Sequence, residues 1–464
     1  MNRAVEARQP KPAHESIQPI PVKHRVLSGF DLAVLWGDLG IGLLVLVTGA
    51  LLVPGLGFAS AMVAIVLGSI VSVGLLALAG SAGARYGMPT MVLFRPMLGI
   101  RGSWVPSALN ALQLVGWTAV ELWAMSYVAS IVTEREFGFS GRLLWLLVAG
   151  VVCTGLALWG PVGVTRIWLK KFGAWVIVGI SVTVTVLLFT SSDLSSATAQ
   201  PGDGSLQFGS ALDLVIAMPV SWLPLVADYT RFGRRPGSAL FGTFAGYFVA
   251  NVWLYALGAA LVLGADAHAS PGGIAAGVLA IFGGSVAGVL FLVGLLAGET
   301  DEAFANIYSG SLSLANVWPR VPQWAFISGI VAVAVSLAAW LTMERYEGFL
   351  FLIGSVFVPL FGVLIADHFV NRRGAIDVSQ LYRQRSDYWY TGGVRLGSFV
   401  PWLAGFALYH WITPTGPVWW VSLVEMNLGA PPSWLAAWGA SIPAFATALV
   451  LALRTKHRSK IPPA

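Results

Sequence analysis

The sequence predicts an all-α integral membrane protein of twelve transmembrane helices, built as a five-plus-five inverted repeat with helices one and six broken. Three observations carry this. Of 464 residues, 57% are hydrophobic and only 10% charged, whereas a soluble domain carries about 25% charge; mean hydropathy is +0.77. Apolar runs of about 20 residues, long enough to cross a bilayer, recur along the chain. Two of these runs, the first and the sixth, are interrupted by helix-breaking residues.

The expected spans are 29–53, 58–80, 104–132, 143–158, 167–190, 211–229, 239–263, 285–314, 324–341, 348–370, 396–412 and 434–453. The apolar segment 274–282 is too short to cross and is expected as a re-entrant or surface helix. Residues 1–28 are polar, Pro-rich and basic, without the apolar core of a cleavable signal, and are expected as a disordered cytoplasmic tail. Residues 29–370 would form the transport core, 371–395 a cytoplasmic loop, 396–453 two additional helices and 454–464 a second cytoplasmic tail. With both ends inside, 24 of the 27 Lys and Arg fall on the inner side and only Arg135, Arg142 and Arg345 on the outer. That asymmetry predicts a multi-pass protein of the cell inner (cytoplasmic) membrane with both termini cytoplasmic. The 53 glycines and 20 tryptophans suit close helix packing and interfacial belts. Cys153 is the only cysteine, so no disulfide forms within the chain and no Cys-based metal site exists. The net charge of +6 is scattered over short loops, a topology signal with no nucleic-acid partner implied.

The interruptions point to the site. Span one carries Trp36-Gly37-Asp38-Leu39-Gly40, and span six carries Met218-Pro219-Val220-Ser221-Trp222-Leu223-Pro224. Proline removes a backbone donor and clashes with the preceding turn. Free backbone at membrane depth survives only where it lines a cavity or is buried in protein. Breaks five spans apart, in segments of opposite direction, mark the midplane site of an inverted-repeat transporter. Asp38 among unwound carbonyls would suit sodium, which wants oxygen ligands, or would cap the second half-helix. Trp222, between two prolines, would be one wall of an aromatic sandwich, with Ser221 against a ring edge.

Buried acids supply the rest. A charge at bilayer depth costs about 2.5–3.5 kcal/mol on insertion scales, so acids there face a cation, a proton or a polar solute. Span eight holds Glu299, Asp301 and Glu302, and Glu299, Glu302 and Asn306 share one helix face. Span three aligns Asn110, Gln113, Trp117 and Glu121 on one face. An indole one turn from a carboxylate suits a flat solute rich in N–H groups. Asp228 and Arg231 are expected as structural partners at the inner surface, and His368 as interfacial.

These passages resemble the nucleobase–cation symporter-1 family, and most closely its cytosine or hydroxymethylpyrimidine permease branch. The resemblance rests on Trp36 and Thr48 of span one, Gly87-Met88-Pro89, Gly99-Ile100-Arg101-Gly102, Gly116-Trp117 with Glu121, the string from Ser221 through Asp228-Tyr229-Thr230-Arg231, and Asn306-Ile307-Tyr308-Ser309. It implies alternating access, with a heterocyclic base held between Trp117 and Trp222 and its ring bound by Glu121 and Asn306. It also implies a coupling cation near Asp38 of span one and Ala297, Thr300 and Asp301 of span eight, with Glu302 close by. No cofactor is implied beyond Na+ or H+ as coupling ion. The partners implied are the solute and the lipid bilayer, with oligomeric state open. Two departures stand out. Hydantoin-type members carry a neutral amide where Glu121 stands, and sodium-binding members carry small hydroxyl residues where Thr300 and Asp301 stand. The expected function is import of cytosine, hydroxymethylpyrimidine or a purine by symport with sodium or protons. The alternative is an amino-acid or amine permease of the same fold, which the acidic, aromatic site argues against. An enzyme would need a nucleophile with its base, or a metal cluster, and neither pattern is present.

Overall fold

The computed structural model describes residues 16–160, 174–191, 194–265, 267–283, 286–341 and 346–455. Among them the chain is helical, with no strand beyond two isolated bridges, Leu27 with Gly233 and Thr391 with Val394.

Span one is broken. Its first half-helix, Gly29–Asp38, starts in a capping box: the Ser28 hydroxyl accepts the Asp31 N–H at 3.1 Å and Asp31 accepts the Ser28 N–H at 2.8 Å. The second half, Leu43–Ala50, is bent by 60° from the first. Residues 39–42, two of them glycine, form the joint.

Span six also breaks, but less than its two prolines suggested. The helix Phe208–Trp222 runs straight through Pro219, and the irregularity is one 3-10 turn, Leu223–Leu225, before Val226–Thr230. Trp222 therefore ends a helix instead of sitting in unwound chain. The carbonyls freed there are satisfied by span three. Gln113 donates to Ser221 O at 3.0 Å, and Asn110 reaches Pro224 O at 3.4 Å.

The remaining spans are Phe58–Tyr86, Trp104–Phe137, Arg142–Trp159, Ala174–Ser191, Pro236–Ala265, Val286–Val317, Gln323–Ala338, Tyr346–Ile365, Phe399–Ile412 and Ser441–Arg454. The expected starts of spans five and eight, at Ile167 and Ser285, lie outside the described residues. Most helices outrun the expected segments by several residues because their polar ends continue past the apolar stretch. Span two stops at Gly87, whose φ of +71° and N–H to Gly83 O (2.8 Å) form a left-handed cap. Segment 274–282 is a short helix, Pro271–Ile281. Two features depart from expectation at the C-terminal end. Trp434 belongs to a separate turn, Ser433–Ala436, and a further helix, Val418–Leu428, precedes it.

Packing builds a core around span one. Span seven lies against both of its halves through glycines: a Cβ on Gly246 would meet Ala33 O at 2.1 Å, and one on Gly258 would meet Leu46 O at 2.0 Å. Span three runs along span eight, and spans eleven and twelve pack on span ten. Span twelve is also stapled to span six, where buried Asp213 accepts the N–H groups of Ala440 (2.6 Å) and Ser441 (2.8 Å) at its first turn.

The charged end of the bundle is knitted by residues 16–28 and 371–395. The tail is not disordered from Ser16 onward. Ile17 is buried, Ile20 N–H donates to Gly87 O at 2.8 Å, and Arg25 donates to the carbonyls of Ile20 and Ala84. Asp367 binds both Arg372 (2.6 Å) and Arg395 (3.0 Å), while Arg372 also donates to Pro96 O at 2.7 Å. The Gly99-Ile100-Arg101-Gly102 string docks the 371–395 loop. The N–H groups of Arg101 and Gly102 donate to Gly393 O, and a Cβ on Gly99 would meet that oxygen at 2.4 Å. Arg95 holds Asn316 Oδ1 (2.7 Å) and Leu381 O (2.8 Å), tying span eight to the same loop.

Candidate functional site

The site forms where spans one, three, eight and ten meet. Glu121 comes from span three, and Glu299 and Glu302 from span eight. One carboxylate oxygen from each lies within 4.8 Å of the other two, and all three side chains are buried. No donor reaches Glu121 Oε2, Glu299 Oε2 or Glu302 Oε1. The sequence placed Glu121 on span three and Glu299 with Glu302 on one face of span eight, and the fold brings them to one point because span three runs along span eight.

The three acids are not equivalent. Glu299 Oε1 accepts the N–H of Leu43, the first residue of the second half-helix of span one. That half-helix has Gly42 at its N-cap and no side-chain cap of its own, so Glu299 supplies the missing acceptor and its charge meets the positive helix end. The capping role expected of Asp38 thus belongs to Glu299. Asp38 ends the first half-helix and interacts with Asp301 across the joint. Gly42 lets the acids approach the joint closely, since a Cβ there would come within 2.2 Å of Glu302 Oε1 and push that carboxylate aside.

Aromatic rings border the cluster. Trp117 meets Phe349 (5.3 Å, 63°) and Tyr346 (6.2 Å, 83°) edge-on, with its Nε1 unpaired. Gly116 allows this, as a Cβ there would touch Phe349 at 3.0 Å. Trp222 is held edge-on by Trp36 at 6.2 Å, and Trp36 also packs on Tyr229 and Tyr247. Among the described residues no ring contact joins Trp117 to Trp222. Tyr346 reaches Thr48 of span one at 3.1 Å and the Met218 sulfur of span six at 3.5 Å, which links three spans beside the acids.

The other expected residues divide. Asn306 is buried one turn beyond Glu302, and its amide has no side-chain hydrogen bond among the described residues. The Ser221 hydroxyl donates to Met218 O at 2.6 Å, so its proton is committed within its own helix. Thr300 is half-buried. Its hydroxyl donates to Leu296 O (2.8 Å) and turns to the Met125 sulfur of span three, away from span one. Ala297 is half-buried, and a Cβ on its neighbour Gly298 would lie 3.7 Å from Ile41 O of span one. Asp228 and Arg231 sit together, with Arg231 Nε donating to the Asp228 carbonyl at 3.2 Å, and both make structural contacts. Asp228 accepts the Thr90 N–H at 2.9 Å, and Arg231 donates to Tyr308 OH (2.9 Å) and Ser16 O (2.7 Å).

The profile of a family described as permeases for cytosine/purines, uracil, thiamine and allantoin matches residues 19–436. The chain belongs to this permease family. It is a membrane transporter, not an enzyme. A hydantoin permease of Microbacterium maritypicum is 26% identical over 397 residues, covering 81% of this chain and 80% of that one. A cytosine permease of Escherichia coli O157:H7 is 28% identical over 378 residues, covering 80% and 83%. Among solved structures, Mhp1, a nucleobase–cation–symport-1 family transporter in a closed conformation with bromovinylhydantoin bound, superposes with a TM-score of 0.81 at 21% identity, covering 94% of each chain. Its inward-facing conformation superposes with a TM-score of 0.76. A Na+-coupled sialic acid symporter shares the fold at a TM-score of 0.65 and 12% identity.

Several residues of this permease's site escaped the sequence reading. Tyr346 and Tyr247 shape the surroundings of the acids, and each reads in the sequence as an aromatic residue of an apolar span; Trp36 and Thr48, which join them, enter the sequence reading only through the family resemblance and, for Trp36, the break in span one. Only contacts between distant spans distinguish them from packing residues.

Proposed function

We propose that this permease imports an amino-substituted heterocyclic base, cytosine-like or purine-like, across the cytoplasmic membrane by symport with sodium or a proton. The observation that carries this is the convergence of Glu121, Glu299 and Glu302 within 4.8 Å, buried beside Trp117. Such a site repels anions and accepts ring N–H groups. In this reading the ring lies between Trp117 and Trp222, Glu121 and Glu302 accept its N–H groups, and Asn306 offers a donor and an acceptor to the ring edge. Ser221 offers only acceptor lone pairs.

Coupling belongs to Asp38 and Asp301. Two carboxyls facing each other across the span-one joint call for a proton or a cation between them, and an all-oxygen donor set suits sodium. Ala297 and Thr300 would add carbonyl oxygens from span eight. The solute site and the coupling site share span eight, so binding at one bears on the other. Both termini would lie in the cytoplasm, in keeping with the distribution of Lys and Arg. Residues 29–370 would form the moving core, with 371–395 as the inner loop and 396–453 as two helices stapled on through Asp213.

The test is uptake into proteoliposomes of cytosine, hydroxymethylpyrimidine, adenine, uracil and hydantoin, each with an inward sodium gradient, an inward proton gradient or neither. Saturable, gradient-driven uptake of an amino-substituted base is expected. Preference for uracil or hydantoin, or uptake indifferent to both gradients, would overturn the reading.

A further inference from the structure

A second cavity, of about 380 Å³, opens between the first half-helix of span one, span five and span seven. That volume lies in the range of small-molecule pockets, about 300–1,000 Å³. The cleft exists because Gly37 and Gly246 leave its floor without side chains where spans one and seven close on each other. Its walls are apolar, with Trp175 from span five and Val249 and Trp253 from span seven. The Trp253 indole donates to Thr185 at 3.0 Å, which fixes that wall to span five. Among the described residues Asp38 is the one charged residue in the lining. It is 5% exposed and interacts with Asp301, and among the described residues its Oδ1 accepts no hydrogen bond.

An apolar cleft lined by two indole side chains and bordered by the carboxyl group of Asp38 is complementary to a cation carried on a compact hydrophobic body. We propose that this cleft is a binding site for a free amphipathic primary amine, whose ammonium meets Asp38 and whose apolar body lies against Trp175, Trp253 and Val249. The ammonium supplies the donor that Oδ1 lacks, and the indoles add cation–π attraction. A neutral molecule of the same shape fills the cleft but leaves the carboxylate unmatched. The site shares Asp38 with the coupling pair proposed above and touches none of the residues proposed for the solute.

The probe is 4-phenylbutylamine, with 4-phenylbutan-1-ol as its neutral counterpart. Both are titrated calorimetrically into the protein in lipid nanodiscs, with empty nanodiscs subtracted. Saturable one-to-one binding of the amine is expected, about tenfold tighter than the alcohol, as for one charge-assisted pair in place of a neutral one. Asp38→Asn should bring the two compounds level. Val249→Trp, at a position 63% exposed, should fill the mouth and weaken the amine about tenfold. Trp117→Ala should leave amine binding unchanged. Equal binding of amine and alcohol, or amine binding that Trp117→Ala abolishes and Val249→Trp spares, would overturn the proposal. The readout is amine binding and not uptake, so its failure leaves the transport test above standing.

Discussion

Replacing Asp367 should unfasten the charged end of the bundle. Asp367 accepts from Arg372 Nε at 2.6 Å and from Arg395 Nη1 at 3.0 Å. The Arg372 side chain is 1% exposed, against 15% for Arg395. The two guanidiniums therefore respond differently. Arg395 rehydrates when its partner is lost and contributes little. Arg372 stays buried, held by Pro96 O at 2.7 Å and Tyr390 OH at 3.0 Å, and is left with an uncompensated charge. Breaking a buried pair from one side costs about 3–5 kcal/mol, so Asp367→Ala should destabilise by that amount. Asp367→Asn keeps an acceptor and should cost about half. The assay is equilibrium unfolding in mixed detergent micelles, run as a double-mutant cycle with Arg372→Ala. The double variant should be more stable than the sum of the two single losses implies, by about 2–3 kcal/mol, because it removes both charges. Additivity within about 0.5 kcal/mol would refute the argument that the pair acts as one buried unit.

Three further outcomes are expected. Trp117→Ala should weaken solute binding about tenfold or more through loss of a stacking wall, with unfolding little changed; unaltered affinity in an equilibrium binding assay would remove Trp117 from the site. Asp301→Asn should reduce gradient-driven uptake more than solute exchange, and equal losses in both would take Asp301 out of coupling. Glu299→Ala should destabilise by about 1–2 kcal/mol through loss of the Leu43 cap, and Glu299→Gln should recover part of this, both read from unfolding in micelles.

The fold was legible because membrane spans announce themselves by length and the break in span one by its glycines. The distribution of Lys and Arg suggested an alternation of the spans without any contact being known. Span six was legible only in part. Pro219 lies in the last turn of its helix, which continues through it to Trp222, so the two prolines overstated the disruption. At the C-terminal end, the run around Trp434 concealed a turn, because an apolar run does not reveal where the chain reverses. In the site, the residue types were readable but their partners were not. Glu121 and Glu302 were suspected separately, and nothing local in the chain indicates that they converge. The role of Glu299 was hidden for the same reason, since it caps a helix more than 250 residues away. Asp213 gave the only local hint that was missed: an acid inside an apolar span must answer to something, and here it answers to the first turn of span twelve.

The Glu299 cap has a mechanical meaning. It rivets the second half of span one to span eight. The first half is fastened elsewhere: Leu27 exchanges backbone hydrogen bonds with Phe232 and Arg234, just past span six, at 2.9 Å each. One span is thus bolted at its two ends to two different parts of the molecule. Residues 39–42, bearing Gly40 and Gly42, are the seam between them. Any rocking of one part against the other must be taken up as torsion in those four residues, directly beneath Asp38 and Glu302. The gearing between carrier motion and charge would then reside in a four-residue stretch in which every second residue is glycine.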